Sequence, residues 1–518
     1  MATPGEKLAA SLEVLHELQR KGISAIKTSD ISRLHRERLL INNFIREVVK
    51  GWYIPVPVDE QPGDSTSWYI SYWSFCAIYL NDRYGESYCL SPEQSILILT
   101  GNWTIPQQMI IRSLKGPNGI TNLPFNTSIF SIKSPLPESA EIIKIEGLRL
   151  LSLPSSLIHA SSVMFTNNTN DMRTAMAMIK SSSEMLALLL NGGHSTIAGR
   201  LAGAFRNNGQ EQISTDILRI MRKAGYDVRE SDPMSNTSPT LFNFISSSPY
   251  IHRIKLMWQQ MREIVINHFP EEPGLPVDHE KYMQLIEDIY VTDAYHSLSI
   301  EKYNVTPELI ERVRSGKWDI HGYEEDRKQK DAMAARGYWQ AAQKVKNSIR
   351  RILDSENPGF VVSEDHGEWY SELFAPSVMA NLLTPSSLAG YRSAQVYISQ
   401  SKHVPLNVNA VRDTMPVLFD LLQNEAFASV RAVLGHFIFV YIHPYMDGNG
   451  RMARFLMNVM LASGGYPWTV IPVEERITYM ASLEKASTKL DIDDFTKYLA
   501  YLVDEGLKGT PVASIEKK

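Results

Sequence analysis

The sequence predicts a mainly α-helical protein, in which a small β-hairpin interrupts the helices of the second half and an α+β region precedes them. Leucines recur at helical spacing in residues 6–21. Residues 90–155 instead contain short apolar segments separated by Gly, Pro and Asn, which is typical of strands. From residue 251 onward nearly every segment has a helical pattern, with one exception at Gln395–Ile398.

Length and composition limit the function classes. The chain has 518 residues, which is too long for one core and predicts about two to four domains. It is 44% hydrophobic and 21% charged, with a net charge of −5, which excludes a general polycation for nucleic acid but allows a local basic patch. Cys76 and Cys89 form neither a disulfide framework nor part of a zinc cluster, which predicts a reducing compartment.

No segment has the pattern of a targeting signal or a membrane span. Residues 1–18 lack a basic flank followed by an apolar core, so no secretory signal is expected. No run of about 18 apolar residues occurs, so no transmembrane helix is expected. The composition therefore predicts a cytoplasmic protein without membrane contact.

Residues 1–60 predict a winged helix-turn-helix. The first helix, 6–21, is followed by a second that begins near Thr28–Asp30. A third helix is expected at residues 39–48, and a turn then leads into a strand at residues 50–57.

Basic side chains give this region a local positive charge. They are Arg33, Arg36, Arg38, Arg46 and Lys50. DNA contact and an ordinary solvated helix face both explain such a cluster, and the sequence leaves both open.

Residues 61–228 predict an α+β domain. Its expected strands lie at residues 95–101, 107–114, 127–134 and 148–153. Residues 172–225 have helical patterns again. Residues 229–250 are rich in Ser, Pro and Asn and predict a linker, and residues 251–518 predict a final helical domain.

Twelve residues, HPYMDGNGRMAR (443–454), follow an apolar run and combine side chains that packing does not require. Pro444 disfavours helical geometry at His443, so the histidine lies at a break. Asp447–Gly450 predicts a tight turn, and Arg451–Ala462 predicts a helix. The turn therefore leads into a helix N-terminus, where free N–H groups and the positive end of the dipole bind anions.

Each of these side chains suits phosphate chemistry. His443 can accept a proton from an incoming hydroxyl, and Asp447 can hold Mg²⁺ through one carboxylate. The glycines let backbone amides approach phosphates, and Arg451 and Arg454 can neutralise phosphate charge. Each feature alone has a structural explanation, but together they predict phosphoryl or nucleotidyl transfer.

The segment closely resembles the signature of Fic-domain proteins, HxFx(D/E)GN(G/K)RxxR, with Tyr445 in place of the usual Phe. The resemblance covers about residues 280–505. It implies an all-helical Fic domain that transfers AMP from ATP to a Ser, Thr or Tyr hydroxyl of a protein and releases pyrophosphate. Family members with Lys at the position of Gly450 can bind ATP reversed and phosphorylate instead, so Gly450 favours AMP transfer.

The same resemblance implies a role for each motif residue. His443 is the base that deprotonates the target hydroxyl, and Asp447 binds Mg²⁺, with Mn²⁺ as an alternative. Asn449 is directed at the α-phosphate and Arg454 at the γ-phosphate. The implied phosphate-binding residues are Gly448, Asn449, Gly450, Arg451 and Arg454.

The family's target clamp and adenine contacts fall outside the motif. Gly390–Arg392 and residues 394–406 look like the family's flap, a β-hairpin that clamps the target by strand addition. The flap residues expected to register the target are Val396, Tyr397 and Ile398. Tyr479 falls where an adenine-contacting Tyr is often found, and Ser487 near an Asn that also faces adenine.

A second stretch, Ser297-Leu-Ser-Ile-Glu301, looks like the family's inhibitory motif (S/T)xxxE(G/N), with Lys302 where Gly or Asn is usual. Its Ser and Glu are four residues apart and share a helix face. The resemblance implies an inhibitory helix at about residues 284–302, whose Glu301 pairs with Arg454 and fills the space of the γ-phosphate. One Arg can bind one carboxylate or one phosphate bidentately, not both.

The N-terminal half resembles AbiEi-type antitoxins and transcriptional regulators. Residues 50–57 (KGWYIPVP) look like the strand after the wing, and residues 91–101 like the start of the domain behind it. The resemblance implies DNA binding, autoregulation and a bacterial source. A module that recognises the protein target or mediates dimers is the alternative.

Three functional hypotheses follow. The leading one is a self-inhibited protein adenylyltransferase that uses ATP and Mg²⁺ on a hydroxyl-bearing protein and also modifies itself. The second is a DNA-binding regulator whose Fic core senses ATP. The third is the reverse reaction, deadenylylation, in which Glu301 activates water. Family members with this brake often dimerise, so a homodimer is an open alternative to a monomer.

Overall fold

The computed structural model describes residues 3–57, 60–61, 63–235, 248–316 and 330–515. The chain forms two compact units. One comprises Met1–Arg253 with Tyr397–Val404, and the other comprises Ile254–Val396 with Pro405–Lys518.

Two helices and a small sheet form the start of the first unit. They are α1 (Pro4–Arg20), β1 (Ile26–Lys27), α2 (Arg33–Ile41), β2 (Ile45–Val49) and β3 (Trp52–Pro55). The sheet is antiparallel in the order β1-β3-β2. A capping box starts α1, because Thr3 and Glu6 exchange side chain-to-backbone hydrogen bonds. The predicted helix at residues 6–21 and the strand within residues 50–57 are confirmed.

The predicted third helix is wrong, and the second begins later than expected. The Ser32 hydroxyl accepts from the His35 N–H and so caps α2. Leu39 lies in α2, but Ile45–Val49 forms a strand. The chain turns at Asn43, which has a left-handed φ of 57°, and the β-branched residues that follow favour an extended backbone.

In its described part, the rest of the first unit contains two further sheets and eight helices. The strands are β4 (Tyr88–Leu90), β5 (Gln108–Ser113), β6 (Gly119–Leu123), β7 (Thr127–Lys133), β8 (Ile142–Ile145) and β9 (Leu148–Leu151). The larger sheet has the order β4-β5-β7-β6, with β5 and β7 parallel, and β8 pairs with β9. The helices are α3 (Thr66–Tyr84), α4 (Pro92–Leu99), α5 (Leu153–His159), α6 (Ser162–Asn167), α7 (Thr169–Met178), α8 (Ser183–Gly192), α9 (Ser195–Asn207) and α10 (Glu211–Lys223).

Three of the four strand segments predicted between residues 90 and 155 are confirmed, and the first is wrong. Residues 95–99 lie in α4. The Ser91 hydroxyl accepts from the Gln94 N–H, and Pro92 stands in the first turn, where its missing N–H is not needed. Those are helix start signals, whereas a short apolar run alone fits a buried helix as well as a strand.

The helical pattern predicted for residues 172–225 is confirmed by α7 to α10. Within the predicted linker, residues 236–247 lie outside the described residues. The two units divide at Arg253–Ile254, close to the end of that linker. The predicted division at residue 60 falls inside the first unit and stays a prediction.

The second unit contains helices and no strand in its described part, so the mainly α-helical prediction is confirmed. Its helices are α11 (Pro249–His268, which crosses the unit boundary), α12 (His279–Ile300), α13 (Pro307–Arg314), α14 (Lys330–Leu353), α15 (Pro358–Met379), α16 (Val408–Asn424), α17 (Ala428–Ile442), α18 (Asn449–Ala462), α19 (Arg476–Lys489) and α20 (Asp493–Leu507). Nearly every side chain of α17 and α18 is buried, which explains the apolar run before His443.

The predicted β-hairpin flap is wrong, because residues 391–407 contain no strand. Side chains take the carbonyls that a hairpin ladder would use: the Gln395 amide donates to the Pro405 carbonyl at 2.9 Å. Pro405 also lacks an N–H. Gln400 has a left-handed φ of 60°, and the chain turns there.

The expected target-registering residues fall on both sides of a unit boundary. Val396 belongs to the second unit, and Tyr397 and Ile398 belong to the first. Within the first unit, the Ile105 N–H donates to the Lys402 carbonyl at 3.0 Å.

Two further observations concern the described part of the chain as a whole. None of its helices combines the length and the hydropathy needed to cross a bilayer. Cys76 and Cys89 are both free and buried. Burial raises the pKa of the Cys89 thiol to about 11, so it is a poor nucleophile.

Candidate active site

The loop between α17 and α18 contains the predicted motif. His443 ends α17 with a left-handed backbone, φ 55° and ψ 63°. Gly448 precedes α18 with a φ of 79°. A Cβ atom at position 448 would lie 2.8 Å from Cε2 of Phe374, so both conformation and space require glycine here.

Asn449 and Tyr445 hold this loop closed. The Asn449 side chain donates to the Tyr445 carbonyl and accepts from the Tyr445 N–H, both at 2.9 Å. The Tyr445 ring stacks on Tyr370, with ring centroids 3.7 Å apart. The aromatic anchor is therefore present. The side-chain amide of Asn449 is engaged within the loop, and its predicted contact with the α-phosphate stays a prediction.

The imidazole of His443 is in the protonation state of a base. Its Nδ1 lies 3.3 Å from the Val440 carbonyl, which can only accept, so Nδ1 carries the proton and Nε2 the lone pair. Burial lowers the pKa of His443 to about 4, and the charge of Arg392 acts in the same direction. The Val440 hydrogen bond and two nearby carboxylates oppose that shift. The imidazole is therefore neutral at physiological pH.

Asp447 provides one exposed carboxylate in the loop between α17 and α18. Its side chain is 70% exposed, and Oδ1 accepts from the Gly448 N–H at 2.6 Å. Oδ2 lies 3.7 Å from Nη2 of Arg451. The described residues contain no group of three or more His, Cys, Asp or Glu side chains that could hold a metal. Asp447 therefore suits a cation that takes most of its ligands from phosphate and water.

Arg451 is a buried cation with unused hydrogen-bonding capacity. Its guanidinium carbon lies 5.2 Å from the ring centroid of Tyr303 and 5.1 Å from that of Phe374. The side chain is almost fully buried, and its Nε has no hydrogen-bond partner among the described residues. Such a group favours an added anion.

Arg454, one helical turn further, binds the predicted inhibitory motif. Nη2 lies 2.7 Å from Oε1 of Glu301, and Nε donates to the Ser297 hydroxyl at 2.8 Å. Burial alone would raise the pKa of Glu301, but Arg454 and Arg451 lower it below the usual range. The carboxylate is therefore ionised. Nη1 of Arg454 is buried without a partner in the described structure.

The carboxylate of Glu301 lies directly against the start of α18. A Cβ atom at Gly450 would lie 2.3 Å from Oε1 of Glu301. A side chain at this position would exclude the carboxylate, whereas glycine admits an anion close to the backbone. An acidic group therefore occupies the expected anion site at this helix N-terminus.

The end of α12 is fastened by contacts that the sequence did not predict. The Tyr303 N–H donates to the Leu298 carbonyl and the Lys302 N–H to the Ser299 carbonyl, which is a Schellman motif with Lys302 at a φ of 65°.

Arg476, on a different helix, also binds the C-terminal end of α12. Its Nε donates to the Ile300 carbonyl at 2.8 Å. These two residues are 176 positions apart, so no spacing pattern could reveal their contact. Tyr303, which lies over Arg451, was missed for the same reason.

The two predicted adenine contacts are buried in α19. Tyr479 is 1% exposed, and its hydroxyl lies 2.8 Å from Nε2 of His436. Ser487 is 5% exposed on the same buried face of the helix. Their contact with a base stays a prediction.

Comparison with known proteins defines the class of this domain. Residues 367–461 match the sequence model of the Fic/DOC family. The 443–454 motif lies inside the segment that matches this family.

The similar curated proteins are named protein adenylyltransferases. The fic-1 protein of Caenorhabditis elegans is 33% identical over 120 residues, which is 22% of this chain and 23% of that protein. The Fic protein of Drosophila willistoni is 36% identical over 121 residues, 23% of this chain and 24% of that protein. The Fic protein of Nematostella vectensis is 26% identical over 252 residues, 48% of this chain and 55% of that protein. The match thus spans from about a quarter to about half of these relatives.

Among solved structures, residues 134–508 of C. elegans Fic-1 align with 69% of this chain and 87% of that chain, at 17% identity and a TM-score of 0.37. A Fic domain-containing signalling protein from Bacteroides thetaiotaomicron aligns with 52% of this chain and all of that chain, at 18% identity and a TM-score of 0.35. A bacterial source for this chain stays a prediction.

Proposed function

We propose that this protein is a self-inhibited protein adenylyltransferase, which transfers AMP from ATP to a Ser, Thr or Tyr hydroxyl of a protein. One observation carries the proposal: the ionised carboxylate of Glu301 lies at the N-terminus of α18, against Gly450 and 2.7 Å from Arg454. That position is where a helix N-terminus and two buried arginines would bind a phosphate.

The phosphate-binding capacity exceeds what Glu301 uses. Nε of Arg451 and Nη1 of Arg454 are buried without partners among the described residues. Unpaired buried donors are costly, and a triphosphate would supply their acceptors. The backbone N–H groups of the first turn of α18 would add further donors.

The transfer step needs a base with a free lone pair. The oxygen of the target hydroxyl attacks the α-phosphorus of ATP, and the bond from that phosphorus to the bridging oxygen of the β-phosphate breaks. Pyrophosphate leaves, and the hydroxyl proton passes to Nε2 of His443. The low pKa of His443 keeps Nε2 unprotonated before the step.

Asp447 would hold the metal ion that accompanies ATP, Mg²⁺ or Mn²⁺. Its exposed single carboxylate fits a cation bound mainly by phosphate oxygens and water. When bound, the ion neutralises phosphate charge.

Glu301 and the γ-phosphate compete for the same place, because the carboxylate lies against Gly450 and already binds Nη2 of Arg454. Replacing Glu301 therefore releases the enzyme. The test incubates the Glu301→Gly variant with ATP labelled in the α-phosphate and measures label and intact mass. We expect a gain of one adenylyl group, lost again in the Glu301→Gly/His443→Ala double variant. Transfer of a γ-label instead, or no transfer at all, would refute the proposal.

The reverse reaction is a second candidate, favoured by the ionised state of Glu301. An ionised carboxylate can accept a proton from water, which would then release AMP from a modified protein. Release of AMP from an AMP-modified target by the parent protein, but not by Glu301→Gly, distinguishes this candidate.

DNA binding through the N-terminal region, expected from its resemblance to AbiEi-type regulators, is a further candidate, supported by the order of two helices followed by an antiparallel hairpin. The charged side chains of this region favour DNA binding less. Arg33 lies 2.6 Å from Glu37, and Arg46 lies 2.7 Å from Glu60, so two of the five expected cations are neutralised. A gel shift with DNA from the region upstream of its gene, measured at two salt concentrations, tests this candidate.

A further inference from the structure

Arg392 is a buried arginine, 2% exposed, that holds separate pieces of backbone in the second unit. Its Nε donates to the His443 carbonyl at 2.8 Å, and its own N–H donates to the Pro444 carbonyl at 2.9 Å. Nη1 donates to the Ala394 carbonyl at 3.0 Å, and Nη2 donates to the Leu406 carbonyl. One side chain thus joins the catalytic loop to both ends of the segment Ala394–Leu406, here called the target loop.

Packing does not require this arrangement. Each hydrogen bond that the described structure gives to the Arg392 guanidinium ends on a carbonyl oxygen rather than on a carboxylate. Burial lowers the pKa of Arg392 to about 10, so the cation persists at neutral pH. A buried cation without a counter-ion is costly, and an apolar side chain would fill the same volume without that cost.

The contacted backbone is also strained. His443 has a left-handed conformation that side chains with a Cβ atom disfavour. Such a conformation persists where the surrounding contacts over-determine it. Two of the hydrogen bonds of Arg392 end on the carbonyls of His443 and Pro444, so they restrain this part of the chain.

We infer that Arg392 is a positioning residue, which fixes the imidazole of His443 by joining its backbone to the carbonyls of Ala394 and Leu406. The inference rests on the proposed function. A displacement of about 1 Å at a base costs roughly 100-fold in rate, so loss of the three side-chain hydrogen bonds to carbonyls lowers kcat while the phosphate site stays intact. The charge of Arg392 has a separate effect, because it disfavours the protonated imidazole.

Two substitutions separate anchorage from charge. Each is made in the Glu301→Gly variant, and AMP transfer to the protein's own chain is measured with α-labelled ATP across pH. Arg392→Met removes both functions: we expect a kcat lower by about 10- to 100-fold, an unchanged KM for ATP, and an acid limb moved to higher pH. Arg392→Lys keeps the charge but cannot reach all the carbonyls, so kcat falls while the acid limb stays in place.

Arg431 provides a matched control in the same unit. It is also buried, and Nη1 donates to the carbonyls of Glu425 and Ala426. It lies at the start of α17, and His443 follows that helix at its other end. We expect Arg431→Met to lower the melting temperature as Arg392→Met does, with no change in kcat or in the acid limb.

The kcat and the acid limb of the Arg392→Met variant test the inference. The inference is overturned if Arg392→Met keeps the parent kcat. It is also overturned if Arg392→Met and Arg431→Met lower kcat equally and the acid limb of Arg392→Met does not move. If Glu301→Gly itself transfers no AMP, the proposed function fails, and the inference is then tested by NMR titration of ¹⁵N-histidine, with a His443→Gln spectrum assigning the signal. A higher pKa of His443 in Arg392→Met than in the parent protein supports the inference. An unchanged pKa of His443 refutes it.

Discussion

Oε1 of Glu301 lies 2.7 Å from Nη2 of Arg454, although the two residues are 153 positions apart in the chain. The Ser297 hydroxyl and carbonyl bind the same guanidinium at 2.8 and 3.0 Å. The end of α12 therefore encloses Arg454, which lies in the second turn of α18. In the proposed function, ATP must compete with all of these contacts.

Ser297→Ala should weaken the proposed brake without removing it. The substitution deletes one hydrogen bond to a charged group, worth about 1.5–3 kcal/mol when buried, but leaves the Glu301 contact in place. We expect AMP transfer above the parent level and below that of Glu301→Gly, measured with α-labelled ATP. Ser299→Ala, on the same helix, is the control. Equal rates for the two serine variants would show that Ser297 does not contribute.

Local signals account for the parts of the site that the sequence could predict. Pro444, the two glycines and the helical pattern after Arg451 act within a few residues, and the loop and helix form as these signals indicate. The joining of Glu301 to the motif was expected only through family resemblance, because no spacing rule links segments so distant. The contacts of Arg476, Tyr303 and Arg392 depend on tertiary packing alone.

The errors in the predicted fold have two different origins. The apolar run at residues 95–99 suits a strand or a buried helix, and the Ser91 cap decides for the helix. Residues 391–407 form no strand, and the side chains of Arg392 and Gln395 bind carbonyls of Ala394 and Pro405 that a β-ladder would use. A local cap signal decides the first case, and side-chain hydrogen bonds to backbone carbonyls decide the second.

Lys302→Gly should tighten the end of α12. Lys302 has a left-handed φ of 65° at the position of a Schellman motif where glycine is favoured, and a side chain there costs about 1 kcal/mol. We expect a higher urea midpoint and lower basal AMP transfer. Lys302→Ala removes the same ammonium group but keeps the Cβ atom, so it should change neither the urea midpoint nor the basal AMP transfer. A higher urea midpoint in both variants would assign the effect to the lost charge instead.

The activity of Glu301→Gly should persist to unusually low pH. Catalysis needs neutral His443, whose pKa is lowered from an ordinary 6.5 to about 4. Glu301 is one of the groups that raise this pKa, so its removal moves the value no higher. We expect the acid limb of kcat/KM at or below about pH 4, provided that the fold survives, which circular dichroism checks. A limb near 6.5 would show that the imidazole is exposed to water.

The same shift predicts the sign of a stability effect. The unfolded histidine binds a proton below about pH 6.5 and the folded one only below about 4, so the unfolded state binds more protons between these values. The contribution of His443 to stability is therefore fully present above about pH 6.5 and is lost as the pH falls towards 4. His443→Gln should flatten the dependence of the urea midpoint on pH in this window, and an unchanged slope would contradict the assignment.

Alanine at the two motif glycines should have opposite consequences. Gly448→Ala forces a Cβ atom into a left-handed position 2.8 Å from the Phe374 ring, so we expect a loss of more than about 1 kcal/mol and a lower melting temperature. Gly450→Ala places a Cβ atom 2.3 Å from the movable carboxylate of Glu301 and 3.2 Å from Nη1 of Arg454, both at the ends of side chains. That variant should lower the melting temperature less than Gly448→Ala does, and it should show faster amide exchange in residues 297–304, where the Arg454 contact is lost. AMP transfer should stay low, because the added methyl group also blocks the phosphate position. Equal melting temperatures for the two variants, or unchanged exchange in Gly450→Ala, would mean that Gly450 does not make room for the inhibitory carboxylate.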